Sequence, residues 1–499
     1  MKNKIKIIRY IVILFIAGVC LLNNIQAYPA LGMNNSFLDK LKQDAVKFID
    51  LSQERLISVS DAVWEFAEIA LLEYKSSQLL ADLLEEEGFR VERGVAKLPT
   101  AFVASFGSGH PIIGILAEYD ALPGLSQAAL PFKDSLLEGG AGHGCGHNLF
   151  AAGSLGAALA VKEIIQKNSL EGTVRLYGCP AEEDVGGKLY MARDGLFDDL
   201  DACLAWHPDY ETRVDITGSQ AVDDLEIEFF GKAAHAAFDP WKGASALDAV
   251  EMTVFGINLL REHVKPSVRM HYVITNGGKV PNIVPDNARL WLWVRDSDRQ
   301  GVKDVVRRVE KIVEGTAIAT ATTSKIHYEG SYHEMLVNIT GSRAMQKNLE
   351  MIGPVKYTEE EADYAKKIQR ETGNEENGLV TVITEWDEAK QEAEGGSTDV
   401  AEVSWITPTL HVSTTCAPYG IPWHSWAVVS SSKHAIGYKG MLLAAKVLAV
   451  TALDCLLDEE LLSSMKTEFI EKLNGYKYKC GIPEGQDPPI PEIKNKKKY

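Results

Sequence analysis

The chain has no internal repeat and, apart from its last residues, no low-complexity tract, which excludes a solenoid or a fibrous array. Positive charge is in short supply: 51 Lys and Arg stand against 69 Asp and Glu, a formal net charge of −18. A body this acidic repels nucleic acid and anionic membrane surfaces, so neither is expected as a partner. Seven cysteines in 499 residues follow no disulfide-framework spacing. Cys179, Cys203, Cys416, Cys455 and Cys480 read as buried thiols, with a pair among them left open. Charge-free apolar runs are equally scarce at the amino terminus, where Ile11 to Leu22 follows Lys2, Lys4, Lys6 and Arg9. That run is too short for a comfortable membrane span. With Ala27 offering a small residue at a cleavage point, residues 1–27 read as a signal peptide and the protein as exported, periplasmic or extracellular. The segment carries four basic and no acidic residues, so its removal takes the formal charge to −22.

What is present begins with Gly142-His143-Gly144-Cys145-Gly146-His147-Asn148, a thiol and two imidazoles in a glycine-rich loop. Thiolate and imidazole together suit Zn(II) or a similar divalent ion, and Gly146 lets Cys145 and His147 converge on one ion or bridge two. Downstream, the apolar run Val174 to Gly178 reads as a buried strand that delivers Pro180-Ala181-Glu182-Glu183-Asp184 at its carboxyl end, where open α/β sheets place ligands. Ala202 to Trp206 reads as a second strand ending on His207-Pro208, and Pro422-Trp423-His424-Ser425-Trp426 sets another histidine among aromatic residues. One thiol, three imidazoles and an acidic pair, all at strand ends or in loops, make the inventory of a two-metal hydrolase site.

At 499 residues and 46% hydrophobic content the chain is long enough for two cores. Ser36 to Asp39 resembles a capping box, with helical spacing through Ile57 and more helix from Ser60 to Glu87, stopping at Gly88. Strands Phe102–Phe106 and Ile112–Ala117 follow, and the alternation of strand and helix through His207 predicts an α/β layer structure with a largely parallel sheet. The pattern changes near Thr217. Strands at Asp224–Phe230, Val268–Thr275, Ala288–Val294 and Lys325–Tyr328, with helices at Gly243–His263 and Val302–Thr316, give the order βαββαβ of a ferredoxin-like unit. The expected division is therefore a catalytic domain in two pieces, 28–216 and 337–480, with a lid and dimerisation domain, 217–336, inserted between them. Glu359 to Glu376 reads as an acidic mobile excursion, and 481–499, ending in Lys494 to Lys498, as a disordered tail.

Cys145-Gly-His147, Pro180-Ala-Glu182-Glu183, Trp206-His207-Pro208 and Gly231-Lys-Ala-Ala-His235-Ala resemble the M20 family of metallopeptidases and amidohydrolases. Gly146 to Leu149, Gly395-Gly396-Ser397-Thr398-Asp399-Val400 and His424-Ser425-Trp426 extend the likeness, which runs from about Phe37 to about Leu473. The resemblance implies two divalent metal ions, Zn or Mn, held by Cys145, His147, Glu183, His207 and His424, with Glu182 as general base. It also implies that His235 reaches the active site of a partner subunit, that Asn282 helps to hold the substrate, and that the protein is a homodimer or pairs with a related subunit. Glu118 stands where a His-x-Asp pair of other M20 branches has its histidine, which leaves Asp120 without an assigned role and aligns the chain with the amidohydrolase branch, in which Cys145 bridges. His143 is open between a ligand and a residue that orients one. The implied reaction is hydrolysis of an amide bond to a carboxyl-terminal amino acid, with p-aminobenzoyl-glutamate as the expected substrate. An exported dipeptidase, carboxypeptidase or aminoacylase is the alternative, and a catalytically silent partner subunit or metal-dependent binding protein the third reading.

Overall fold

A computed structural model of the protein describes residues 35–389 and 396–491. The expected signal peptide, the end of the expected tail from 492 and Gly395 lie outside the described residues. Of the segment Met1–Lys40, only the start of the first helix falls within them.

Two sheets organise the rest. The strands, in chain order, are β1 (Arg90–Arg93), β2 (Phe102–Ser108), β3 (Ile112–Glu118), β4 (Gly172–Cys179), β5 (Ala202–Asp209), β6 (Arg213–Val214), β7 (Ala221–Phe230), β8 (Arg269–Asn276), β9 (Asn287–Asp296), β10 (Thr323–Tyr332) and β11 (Thr409–Thr415). The larger sheet has the order β1-β2-β4-β3-β5-β11-β6. Its four central strands β4, β3, β5 and β11 are mutually parallel, and its edges are antiparallel. β3 is buried at every position, as expected of a strand covered on both faces.

Helices His147–Asn168 and Ala435–Leu457 pack against one another and against this sheet, and both are almost wholly buried. They are long and apolar enough to cross a membrane, but here they are core helices. Small residues permit the close approach: a Cβ on Gly153 would meet the Trp206 ring at 2.8 Å. Trp206 in turn donates its indole N–H to the Phe150 carbonyl at 3.2 Å, fastening helix to strand.

The smaller sheet has the order β10-β7-β9-β8, all antiparallel, with helices Ala246–Leu260 and Arg299–Ala319 packed on it. This is the βαββαβ order expected from the pattern. β9 alternates between buried and more exposed positions, sending Leu290, Leu292 and Val294 inward. Val302, Val305, Val306, Val309 and Val313 repeat at helical spacing and complete the same core. Truncating one of these residues, as in Leu292→Ala, costs about 2–5 kcal/mol.

Four expectations are corrected. The helices expected from Ser36 through Ile57 and from Ser60 to Glu87 form three instead, Asn35–Leu51, Gln53–Phe66 and Tyr74–Glu86, the middle one ended by Ala67, which turns left-handed (φ 43°). β5 carries His207 within it instead of ending before it. The acidic excursion contains an ordered helix, Glu359–Glu371, started by a capping box between Thr358 and Glu361 and buried through Ile368 against Ala417, Ile421 and Val428. Residues 481–491 of the expected disordered tail pack on the body: Ile482 is buried, and the Gln486 carbonyl accepts from Arg193.

Candidate active site

The parallel strands β3, β4 and β5 bring their carboxyl ends together, and each delivers part of one cluster. β3 leads into Asp120, β4 into Glu182 and Glu183, and β5 carries His207. The glycine-rich loop supplies Cys145 and then His147, the first residue of the helix. Gly146 caps that helix in the left-handed region (φ 76°), which L side chains rarely adopt. His424 joins because its backbone N–H donates to the Gly144 carbonyl at 3.0 Å.

The donor atoms of Cys145, His147 and His207 lie within 4.8 Å of one another, as do those of Cys145, Glu183 and His424. Cys145 is common to both groups. Its Sγ is 3.3 Å from His207 Nε2, and His424 Nε2 is 3.3 Å from Glu183 Oε2. Each buried imidazole is oriented through Nδ1: that of His147 meets Asp120 Oδ1 at 2.9 Å, and that of His207 meets the Pro208 carbonyl at 2.7 Å. Both rings therefore present Nε2 inward, the arrangement that an outer hydrogen bond imposes on a metal-binding histidine. Asp120 Oδ2 also accepts from the Glu183 N–H at 2.9 Å, so one carboxylate sets a ring and a loop together.

The electrostatics are those of a site short of positive charge. Burial, then Glu118 and Glu183, push the Glu182 carboxyl well above its ordinary range, and burial raises Glu183 to about 7. Burial and Glu183 likewise push the Cys145 thiol up. Burial and the nearby His147 lower His207 to about 3, so its ring is neutral at physiological pH. Two atoms in this cluster, His147 Nε2 and Glu183 Oε1, are buried without a hydrogen bond among the described residues, the first of them 3.2 Å from Glu118 Oε2. Unused donor atoms, a shared thiol and crowded carboxylates all fit a pair of divalent cations, which would offset the negative charge and occupy the free lone pairs. Glu182 makes no hydrogen bond among the described residues and lies within 4.8 Å, donor atom to donor atom, of Glu118 and His147.

Not every sequence candidate joins. His143 is buried with Nε2 3.0 Å from the Val63 carbonyl, outside both donor groups. His235 and Asn282 are exposed in the smaller-sheet region, where the Ala236 N–H donates to the Asn282 carbonyl at 3.0 Å. Among the described residues, no hydrogen bond links either to the cluster.

Two residues gave no signal in the sequence. Lys188 is fully buried, with Nζ 2.6 Å from both Glu118 and Asp399, and Glu118 Oε2 lies 3.2 Å from His147 Nε2. Asp399 stands in the Gly-Gly-Ser-Thr-Asp motif, but nothing local pairs that motif with Lys188. Glu73 is also fully buried, and its carboxyl accepts from the N–H groups of Leu71 (3.0 Å) and Ala181 (2.9 Å) and from Thr100 Oγ1 (2.8 Å). Ala181 holds a left-handed backbone (φ 60°) immediately before Glu182, so Glu73 pins a strained turn that aims the acidic pair. Burial and Asp120 raise Glu73 to about 8.

The family model for peptidase family M20/M25/M40 matches residues 114–410. The chain is 38% identical to a subunit of the p-aminobenzoyl-glutamate hydrolase of Escherichia coli (strain K12), over 89% of this chain and 99% of that protein. It is 31% identical to the Xaa-Arg dipeptidase of Mus musculus, over 87% of this chain and 94% of that one. Among solved structures, a dinuclear metal-binding peptidase of family M20 from Bacillus subtilis matches with a TM-score of 0.56 at 20% identity, covering 82% of this chain and 99% of that one, a likeness of fold. A two-sheet α/β frame with a thiol-centred donor cluster at its strand ends defines a metallohydrolase. The chain belongs to peptidase family M20/M25/M40 and is a metal-dependent hydrolase of amide or peptide bonds.

Proposed function

We propose that the protein is an exported amidohydrolase that cleaves the amide bond to a carboxyl-terminal amino acid, with p-aminobenzoyl-glutamate as substrate and p-aminobenzoate and glutamate as products. The observation that carries the chemistry is the sharing of Cys145 between two donor groups beside an uncommitted Glu182. The substrate rests on the 38% identity to the Escherichia coli hydrolase. Cys145, His147 and His207 would hold one ion, Zn or Mn, and Cys145, Glu183 and His424 a second. Bound there, the ions supply a Lewis acid for the amide carbonyl and lower the pKa of water. Glu182 takes the proton of the attacking water and passes it to the leaving nitrogen, a task suited to a carboxyl whose pKa is raised. Asp120 keeps His147 in the ligand tautomer, and Glu73 holds the turn that carries Glu182.

The region 217–336 is proposed as a lid and dimerisation domain between catalytic segments 28–216 and 337–480. β8 is an edge strand, and Val273 and Ile274 on it, with Met252, Phe255 and Leu259 on the neighbouring helix, are exposed apolar residues. A second copy of the chain is the proposed occupant of that face, or a related subunit, since the Escherichia coli relative is named as one of a set of subunits. Across that interface His235 donates to the oxyanion of the tetrahedral intermediate and Asn282 holds the substrate. Export rests on the pattern of residues 1–27, and mature protein begins near Tyr28. The likeness to the Xaa-Arg dipeptidase supports a second reading, an exported dipeptidase.

The test is turnover by the metal-reconstituted protein of p-aminobenzoyl-glutamate beside a panel of Xaa-Arg and other dipeptides. Release of p-aminobenzoate with the highest kcat/KM is expected, and dipeptide turnover without it assigns the second reading. A mixture of His235→Ala and Glu182→Gln proteins tests the shared site. Both parents should be inactive, and exchanged dimers should regain part of the activity because one of the two sites then draws on intact copies. An exchanged mixture as inactive as its parents rules out action across the interface.

A further inference from the structure

A cavity of about 400 Å3 lies between helix Arg299–Ala319 and the segment that closes the chain, and it shares no residue with the catalytic cluster. That volume falls in the range of small-ligand sites, roughly 300–1,000 Å3. Arg299, Lys303 and Arg307, four residues apart, form one stripe of the helix and line one wall, and Lys479 lines the other. Against these four cations stand two carboxylates, both already engaged. Asp223 accepts from Arg299 Nη1 at 2.5 Å and from Ser331 Oγ at 2.7 Å, and Glu310 accepts from the Tyr328 hydroxyl at 2.9 Å. Arg307 is paired with Asp304.

What remains is two ammonium groups outside any ion pair. The ammonium groups of Lys303 and Lys479 form no ion pair or hydrogen bond among the described residues, in a chain with an excess of 18 negative charges. Arg299 is 8% exposed, and its Nε is buried without a hydrogen-bond partner, an uncommon state for a guanidinium nitrogen. Partial burial, then the charge of Arg299, hold the Lys303 ammonium below its ordinary pKa against the opposing charges of Asp223 and Glu334. Such crowding is unfavourable until an anion enters, and guanidinium and ammonium groups bind phosphate and carboxylate through charge-assisted hydrogen bonds.

We propose that this cavity binds a small oxyanion ligand, one bearing a phosphate or a carboxylate, between Arg299 and Lys303 of the helix and Lys479 of the carboxyl-terminal segment. The site is independent of the proposed substrate. Calorimetric titration of the metal-loaded protein with inorganic phosphate, and separately with glutarate, at fixed ionic strength tests it and distinguishes the two ligand chemistries. Saturable 1:1 binding of at least one anion is expected, weakened on the order of tenfold or more by Lys303→Ala or Lys479→Ala, since one charge-assisted hydrogen bond accounts for roughly that factor. Both lysines are exposed, so matching thermal melts should show that the variants are folded. Binding that survives in the double variant would place the anion elsewhere, at the catalytic cluster first, and overturn the assignment. An absence of saturable binding by either anion in the wild type overturns it too.

Discussion

Two buried clusters in this molecule are built from the same residue types and finish differently. In one, both ring nitrogens of His333 and both carboxylate oxygens of Glu402 have partners. Glu402 Oε1 accepts from the His333 backbone N–H at 2.6 Å and lies 3.0 Å from its Nδ1, His333 Nε2 lies 3.0 Å from the Tyr476 hydroxyl, and Tyr478 donates to Glu402 Oε2 at 2.5 Å. The ring packs beside Trp405, and the cluster fastens the chain's last described segment to the body. In the other, Glu183 Oε1 is buried without a hydrogen-bond partner, His147 Nε2 makes no hydrogen bond and faces Glu118 Oε2 at 3.2 Å, and Glu182 makes no hydrogen bond among the described residues. Burial of histidine and glutamate therefore does not mark a working site. Leftover bonding capacity gathered on several metal-ligating groups at once is what separates these two clusters, because a buried polar atom without a partner costs roughly 1–3 kcal/mol unless something else binds it.

The largest expected effect separates the clusters by chemistry. Glu182→Gln should lower kcat on the order of 10²-fold or more while elemental analysis finds the metal content unchanged. Retention of near wild-type turnover would remove Glu182 as the base. The converse variant, Glu402→Ala, should leave the metal content and kcat of the folded protein unchanged and cost about 3–5 kcal/mol in denaturant unfolding, because it strands a buried histidine and the Tyr478 hydroxyl. A selective loss of metal in that variant would erase the distinction between the clusters.

Chelation sharpens the contrast at one thiol. Cys145 should resist alkylation while metal is bound and react once the metal is removed, whereas the buried Cys179, Cys203, Cys416 and Cys455 stay protected in both states. Mass mapping that shows equal labelling of Cys145 with and without chelator would take it out of the donor set.

Glu73 supplies the smallest and most discriminating effect. Glu73→Ala should reduce kcat on the order of tenfold with little change in KM, by loosening the turn at Ala181, and Glu73→Gln should restore it, since the amide can serve the same three partners. A pH series adds an independent check. With a folded pKa near 8 against an ordinary 4.5, wild-type Glu73 takes up a proton on folding, so its stabilising contribution is complete below about 4.5 and is lost as pH rises to about 8. The Gln variant has no such proton to lose. Its stability relative to wild type should rise across that window and level off above it, and a flat difference would show that Glu73 is ionised in the folded protein.

Much of this protein is written in local pattern. The alternation along Asn287–Asp296 and the valine stripe of Arg299–Ala319 specify a half-covered strand and an amphipathic helix whatever the rest of the chain does, so the βαββαβ order was legible. Cys145 and His147 were legible in a glycine-rich loop, Glu182, Glu183 and His207 at the ends of apolar runs and His424 among aromatic residues, and an open parallel sheet gathers such strand ends. The break at Ala67, the order in Glu359–Glu371 and the packing of residues 481–491 were not, since each depends on contacts that a polar or short stretch makes only after the core has formed. Tertiary structure alone decided which buried charges face each other. Lys188 meets Asp399 across 211 residues of sequence, and Glu73 meets Ala181 across 108. A buried charge must be paired to be tolerated, but its partner is fixed by strand order and loop path, which no local periodicity carries.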